Sequence, residues 1–558
     1  MQARLAMAVI VADGACDCPE LVSTSSNDLL LVLFVCSLCT LFDSRMGEHD
    51  YRATIITLSR KFTRQKFLGA VGAGVVLLNL PGCKEDRQSR RSPPPRLSAV
   101  KAFRSRPELS PPAIEITARA HDTAPGYIFV APKKGAGQDG PMIVDDQGQL
   151  VWFSKNRYAT DFRVQTYQGE QVLTWWEGKV VAGHGVGEYV IFDASYREIN
   201  RVRAGNGYRG DLHEFFITPE DTALLTAYVP TPTDLSQIGG PEDGAVWDGI
   251  AQELDPETGE VLFEWRSLDH VGVEETYREP PQDPGTPLDY FHINSIDIDF
   301  DGNFLISAKG TSAVYKVERE SGEILWRLGG KESDFKMGSG TRFAYQHDAR
   351  RQRYGTISIF DNGASPEVHE QSRGIVVELD MDEMSATLVR EFIHPNKLLS
   401  TSQGNVQVLP NANMMVGWGS APFFSEYSHK GELLFDAQLL GEGQSYRAFR
   451  YPWSGHPSDN PAVAVEQGPE DKVTLYVSWN GATDVESWQV LAGPTPNQLK
   501  PIGSAPRRGF ETTIAMRTAE PYVAVQAKSA SGRVLGTTKA VEPEDRTASS
   551  RFSPPVSS

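Results

Sequence analysis

The chain has 558 residues, room for three or four domains at about 150 residues each. Its 54 Lys+Arg stand against 72 Asp+Glu, a net charge of −18, which excludes the basic footprint that non-specific nucleic-acid binding or a polybasic membrane surface needs. At 40% hydrophobic and 23% charged residues it is too apolar for disorder. The five cysteines are Cys16, Cys18, Cys36, Cys39 and Cys83, so the chain beyond Cys83 holds no disulfide, cysteine-ligated zinc or thiol nucleophile.

Two apolar runs open the chain, Leu29–Phe42 and Phe67–Leu80, each 14 residues and short of the roughly 20 that span a bilayer. The second follows Arg60, Lys61, Arg64 and Lys66 and ends in Leu80-Pro81-Gly82-Cys83. A basic region, an apolar core and this ending resemble a bacterial lipoprotein signal, in which Cys83 would carry the lipid. SRKFTRQKFL also resembles a twin-arginine export signal but lacks an Arg-Arg pair. Residues 1–83 therefore read as an export region, its first 45 residues as an over-extended start before Met46. The protein is expected to be exported, as a bacterial cell-surface lipoprotein or a secreted protein. Its one membrane contact would be an N-terminal lipid anchor. Residues 84–112, rich in Arg, Ser and Pro, read as an extended solvated tether.

From 113 to 455 short Val/Ile/Phe/Tyr/Trp runs alternate with Gly, Asp and Pro turns, and long amphipathic helices are missing. One hairpin phrase recurs at 145–153, 193–202, 255–265, 318–328, 380–392 and 428–437, each preceded by another strand. Further strand pairs lie upstream, as in HEFFITPEDTALLTAY and HINSIDIDFDGNFLISAK. Four strands per unit and six units predict an all-β chain with a six-bladed β-propeller. Residues 462–541 predict a small fibronectin-III-like β-sandwich, and 542–558 a disordered tail.

Histidines carry the functional signal. His213, His292 and His347 each open a strand pair, in LHEFF, FHINS and QHDAR. Repeat-equivalent positions in a propeller converge on its central channel. A single such histidine can equally tie blades together. Metal binding is the first rival for three converging histidines, but no carboxylate spacing is decisive, and no metal or organic cofactor is assigned. Asp297, Asp299 and Asp301 resemble the opening of a calcium loop, yet the closing position holds Ala308. They also fit a strand face and its turn.

The phrases FRSRPELSPP, GPMIVDDQGQLVWF, LTWWEG, DLHEF, HINSI, GEILWRLGG, QHDAR, IFDNG and SQGNVQ resemble the arylsulfotransferase family in its fungal and actinobacterial branch. The resemblance runs over about residues 100–455, and YVSWNGATDVESW extends it into the sandwich. It implies ping-pong transfer of a sulfuryl group from an aryl sulfate donor to a phenolic acceptor through a sulfohistidine, without a nucleotide sulfate. The absence of any phosphate-cradling glycine loop agrees. By motif, His347 would be the nucleophile, and His213, His292 and Asn294 would line the sulfuryl pocket. An Arg usual on the strand after the HxN motif is Lys309 here, and a frequent His is Gly310. Lys offers a point charge where Arg offers a planar fork. His213 or His292, if protonated, could serve the departing phenolate. Phe291 and Phe343 are candidates for stacking on an aryl ring or for core packing. The rival reading, from another class, is a noncatalytic cell-surface propeller that binds a glycan or a protein.

Overall fold

The computed structural model describes residues 98–155 and 158–545. The export region with Cys83, residues 84–97 of the tether and residues 546–558 of the tail lie outside the described residues.

Among the described residues the chain is nearly all strand, and its one α-helix is the single turn Ser267–His270. No described helix is long and apolar enough to cross a membrane. A four-strand antiparallel meander recurs. Ile293–Ile298, Phe304–Ala308, Ala313–Val317 and Ile324–Gly329 make one such sheet. His347–Arg351, Thr356–Asp361, Arg373–Asp380 and Ser385–Ile393 make the next, and Asn405–Val408 to Leu433–Leu439 another. An eight-stranded sheet contains two meanders, joined where Gly187 pairs with Gly210. In the first sheet, Ala448–Tyr451 pairs with Tyr127–Val130, so a strand from the end of this region completes its beginning. All six hairpin phrases form antiparallel strand pairs.

These strands are apolar on both faces because both faces are covered. Successive side chains point to opposite sides of a sheet. Phe304, Ile306 and Tyr315 accordingly pack with Leu224 and Trp265 of the preceding meander. Leu305 and Val314, one residue out of phase, pack with Ile357 and Ile375 of the following one. The last meander's Phe424 and Phe435 share a core with Ile128 and Met142 of the first sheet. Phe291 and Phe343 belong to these cores, Phe291 beside Trp265 and Tyr315.

Beyond residue 460 two four-stranded sheets enclose Val473, Leu475, Trp479, Trp488, Val490 and Val525. The WNG phrase joins this unit to the first meander. Asn480 pairs with the Phe153 backbone through both amide atoms, accepting at 3.0 Å and donating at 2.9 Å. Gly481 has φ +92° and no room for a Cβ, which would lie 2.3 Å from the Tyr196 ring.

Composition misjudged the two flanks. Residues 98–112 are packed rather than solvated: Leu109 is buried, Phe103 meets Phe510 at 4.4 Å, and Ser105 Oγ donates to Glu511 at 2.6 Å. Glu544–Asp545, assigned to the tail, pair in parallel with Glu466 and Gln467.

Candidate active site

His213 lies within the strand Gly210–Ile217, His292 immediately precedes Ile293–Ile298, and His347 begins His347–Arg351. Each strand is the first of its meander, and all three carry a register shift near the histidine. Such bulges re-aim side chains that a regular pleat would alternate. His292 and Asp348 adopt left-handed backbone, φ +57° and +56°, which side-chain-bearing residues adopt only where their surroundings hold them. The rings converge: His213 and His292 are 4.7 Å apart between centroids, His292 and His347 6.4 Å.

Each histidine is oriented by one partner. His347 Nδ1 lies 2.7 Å from Asn362 Oδ1, and Asn362 Nδ2 donates to the carbonyls of Ser400 (2.9 Å) and Gln403 (3.0 Å). Those two bonds turn Asn362 Oδ1 toward the ring, so Nδ1 carries the proton and Nε2 the lone pair. Gln403 N–H caps that lone pair at 3.2 Å. Burial, reinforced by Lys309 and His292, holds the His347 imidazole well below its ordinary range. It is neutral at pH 7.

His213 Nδ1 is 2.5 Å from Asp211 Oδ2. Burial pushes the Asp211 carboxyl up, but His213 and His184 outweigh it and hold the group below its usual value. Thr226 Oγ1 and the amides of Gly185 and His213 also donate to Asp211. His292 Nδ1 is 2.6 Å from Asp289 Oδ2, and burial pushes the His292 pKa down to about 3. A neutral His292 with its proton on Nδ1 presents Nε2 as an acceptor. It is therefore no proton donor to a departing phenolate, contrary to the expectation from sequence.

Lys309 is 6% exposed, its Nζ 3.5 Å from the Thr401 carbonyl oxygen, and burial followed by Arg278 pushes its pKa down to about 8. Gly310 leaves no space for a side chain, since a Cβ would lie 2.1 Å from the Tyr290 carbonyl oxygen. Asn294 donates to Gln346 O at 2.8 Å and accepts from Asp348 N–H at 3.3 Å. Both its amide atoms grip the backbone on either side of His347, so it positions that residue. The aspartates of the calcium-like run are also committed: Arg351 binds Asp299 at 2.7 and 2.8 Å, and Lys316 binds Asp299 and Asp301.

Several residues escaped the sequence reading. Tyr446 stands 5.7 Å from His213 and 6.5 Å from His347, and its buried hydroxyl has no hydrogen-bond partner. His184, at the start of His184–Phe192, packs against Tyr228 with ring centroids 4.0 Å apart and lies 5.5 Å from His292. It does not share the repeat position of the other three. Asp211, Asn362 and Gln403 lay inside quoted phrases, where spacing alone assigned them no partner.

One residue along from His213, His347 and Tyr446, the chain supplies Glu214, Asp348 and Arg447 to a buried ion cluster, Arg447 from just before the strand Ala448–Tyr451. Arg163 and Arg350 both pair closely with Glu214. Arg447 reaches Asp161 at 2.8 Å, Glu214 at 3.4 Å and Asp348 at 3.3 Å. Three guanidiniums balance three carboxylates. A cavity of about 520 Å³ lined by Arg163, Gln165, Phe216, Thr218 and Tyr451 contains none of the histidines.

No curated protein matches the chain by sequence. Among solved structures, a protein of unknown function from Bacteroides caccae is 13% identical, with 58% of this chain and 98% of that one covered and a TM-score of 0.37. A luciferin-regenerating enzyme is 12% identical, with 58% and 85% covered and a TM-score of 0.30. A catalytically inactive virginiamycin B lyase from Staphylococcus aureus with quinupristin is 9% identical, with 66% and 97% covered and a TM-score of 0.29. Residues 163–439 match the sequence profile of the arylsulfotransferase (ASST) family.

Proposed function

The chain belongs to the arylsulfotransferase family, and on that premise we propose that it moves a sulfuryl group from an aryl sulfate to a phenol through a covalent adduct on His347. The observation that carries this is the fixed tautomer of His347, whose Nε2 keeps its lone pair in a ring that lies 6.4 Å from His292 and 6.5 Å from Tyr446 between centroids.

Nε2 attacks sulfur as the aryl–oxygen bond to sulfur breaks. The Gln403 N–H must leave the lone pair first, and is then available to a sulfuryl oxygen. Sulfuryl transfer resembles phosphoryl transfer, with charge on equatorial and departing oxygens, so fixed donors supply most of the catalysis. Lys309 Nζ and Tyr446 Oη fill that part. In this proposal His213 enters with a proton on each ring nitrogen, the Nδ1 proton held by Asp211, and hands the Nε2 proton to the departing phenolate. In the second half the incoming phenol gives its proton to His292 Nε2 and attacks sulfur, the nitrogen–sulfur bond breaks, and His292 passes that proton to His213, whose ring centroid is 4.7 Å away, restoring the starting state. Because Nδ1 keeps its proton, the adduct is a sulfoimidazolium. The neutral Asn362 amide stabilises that positive charge less than a carboxylate would, which keeps the bond labile.

The recurring meanders are, in this proposal, the blades of a six-bladed propeller, with Ala448–Tyr451 completing the first. The shared core of the last meander and the first sheet supports it. Export, with lipid on Cys83, rests on the sequence signals alone.

The test is incubation of residues 84–558 with a chromogenic aryl sulfate and a phenol. Phenol release with a sulfuryl adduct on His347 by mass spectrometry is expected. No turnover in the wild type, or full activity in His347→Ala, would overturn the assignment and favour the noncatalytic binding propeller.

A further inference from the structure

We propose that His184, Asp289 and His292 form a binding site for a divalent transition metal of the zinc class, beside the sulfuryl pocket. One ligand atom from each lies within 4.8 Å of the others. His184 is 2% exposed, and neither ring nitrogen has a hydrogen-bond partner. Leaving such a group unpaired in the interior is costly unless a ligand completes it. Its Nε2 is 3.6 Å from Asp289 Oδ1, which is itself buried and without a hydrogen-bond partner. Two orphaned ligand atoms thus face each other at close to the roughly 3.3–3.5 Å that separates ligands bonded at about 2.0–2.2 Å to one tetrahedral zinc.

Two imidazoles and one carboxylate suit zinc and its neighbours rather than calcium or magnesium, which prefer oxygen throughout. Three protein ligands leave a fourth position open. Tyr228 and Trp247, with ring centroids 4.0 and 4.8 Å from His184, hold that ring in place. Arg278 lies 3.9 Å from Asp289 Oδ2, the oxygen turned to His292 and not the one facing His184.

Occupancy changes His292. Metal on Nδ1 displaces the hydrogen bond to Asp289 Oδ2, and the ring proton moves to Nε2. A neutral ring protonated at Nε2 can no longer accept the phenol proton, so zinc inhibits the acceptor half-reaction. This consequence rests on the proposed function; the binding itself does not.

Zinc uptake by purified 84–558 is measured by equilibrium dialysis and elemental analysis, with circular dichroism to verify folding. One tightly held zinc per chain is expected, with affinity lowered at least about 10–100-fold in His184→Gln and in Asp289→Asn and unchanged in His456→Gln at an exposed histidine. Visible absorption of bound cobalt(II) in the wild type should give tetrahedral bands. Uptake that folded His184→Gln or Asp289→Asn leaves intact would overturn the site. Should both variants fail to fold, absence of zinc or of cobalt bands in the wild type overturns it. Zinc binding by a protein that lacks turnover would leave the site standing and remove the proposed function.

Discussion

His347 donates its Nδ1 proton to Asn362 Oδ1 across 2.7 Å, and two backbone carbonyls keep Asn362 from turning over. The tautomer of this proposed nucleophile is therefore set by main chain 53 and 56 residues further along, at Ser400 and Gln403.

Asn362→Leu should strand the Nδ1 proton and free the ring to adopt the other tautomer. A fall in kcat of about 10²–10⁴-fold with little change in KM is expected. Asn362→Asp should instead favour the imidazolium and move the acid limb of the pH–rate profile upward. A profile identical to wild type would remove Asn362 from the mechanism.

Lys309 has a pKa pushed down to about 8 by burial. Its positive charge is present below that pH and disappears above it, so the rate should fall as pH rises through about 8. Lys309→Arg, which does not titrate in this range, should flatten the alkaline limb and keep kcat/KM within about tenfold. Lys309→Met should cost about 10²-fold at pH 7.

Replacing Gly310 with the histidine frequent in the family should not improve activity. The new Cβ would meet the Tyr290 carbonyl oxygen at 2.1 Å, and backbone cannot swing aside as a side chain can. A loss of about 1–3 kcal/mol in denaturant unfolding is expected. Enhanced turnover at unchanged stability would contradict it.

Glu214 meets Arg163, Arg350 and Arg447 with no exposed surface of its own. Burial opposes its charge, but the three guanidiniums win and hold its carboxyl well below the usual range. Glu214→Leu should leave that positive charge under-compensated and cost about 3–5 kcal/mol. Chemical denaturation followed by tryptophan fluorescence would measure it.

What was legible in the sequence follows from local physics. Strand periodicity and Asp/Gly turns do not depend on distant residues, so all six hairpins were visible in order. Repetition marked His213, His292 and His347, because equivalent places in a repeat meet in space. His184 fell outside the repeat and was invisible. Lys309 and Gly310 stood out as departures, but the reason for Gly310 is a carbonyl 20 residues earlier, at Tyr290. Residues 98–112 read as tether because Arg, Ser and Pro say nothing of a sandwich 400 residues away that covers Phe103 and Ser105.

The sequence by itself determined an all-β chain, its repeating unit and three histidines at like places in the repeat, in a stretch without cysteine. Only the tertiary structure decided which nitrogen of each imidazole is free and which amide merely positions. Protonation and tautomer depend on burial and on single hydrogen bonds between residues far apart in the chain, and those exist only once the sheets have packed.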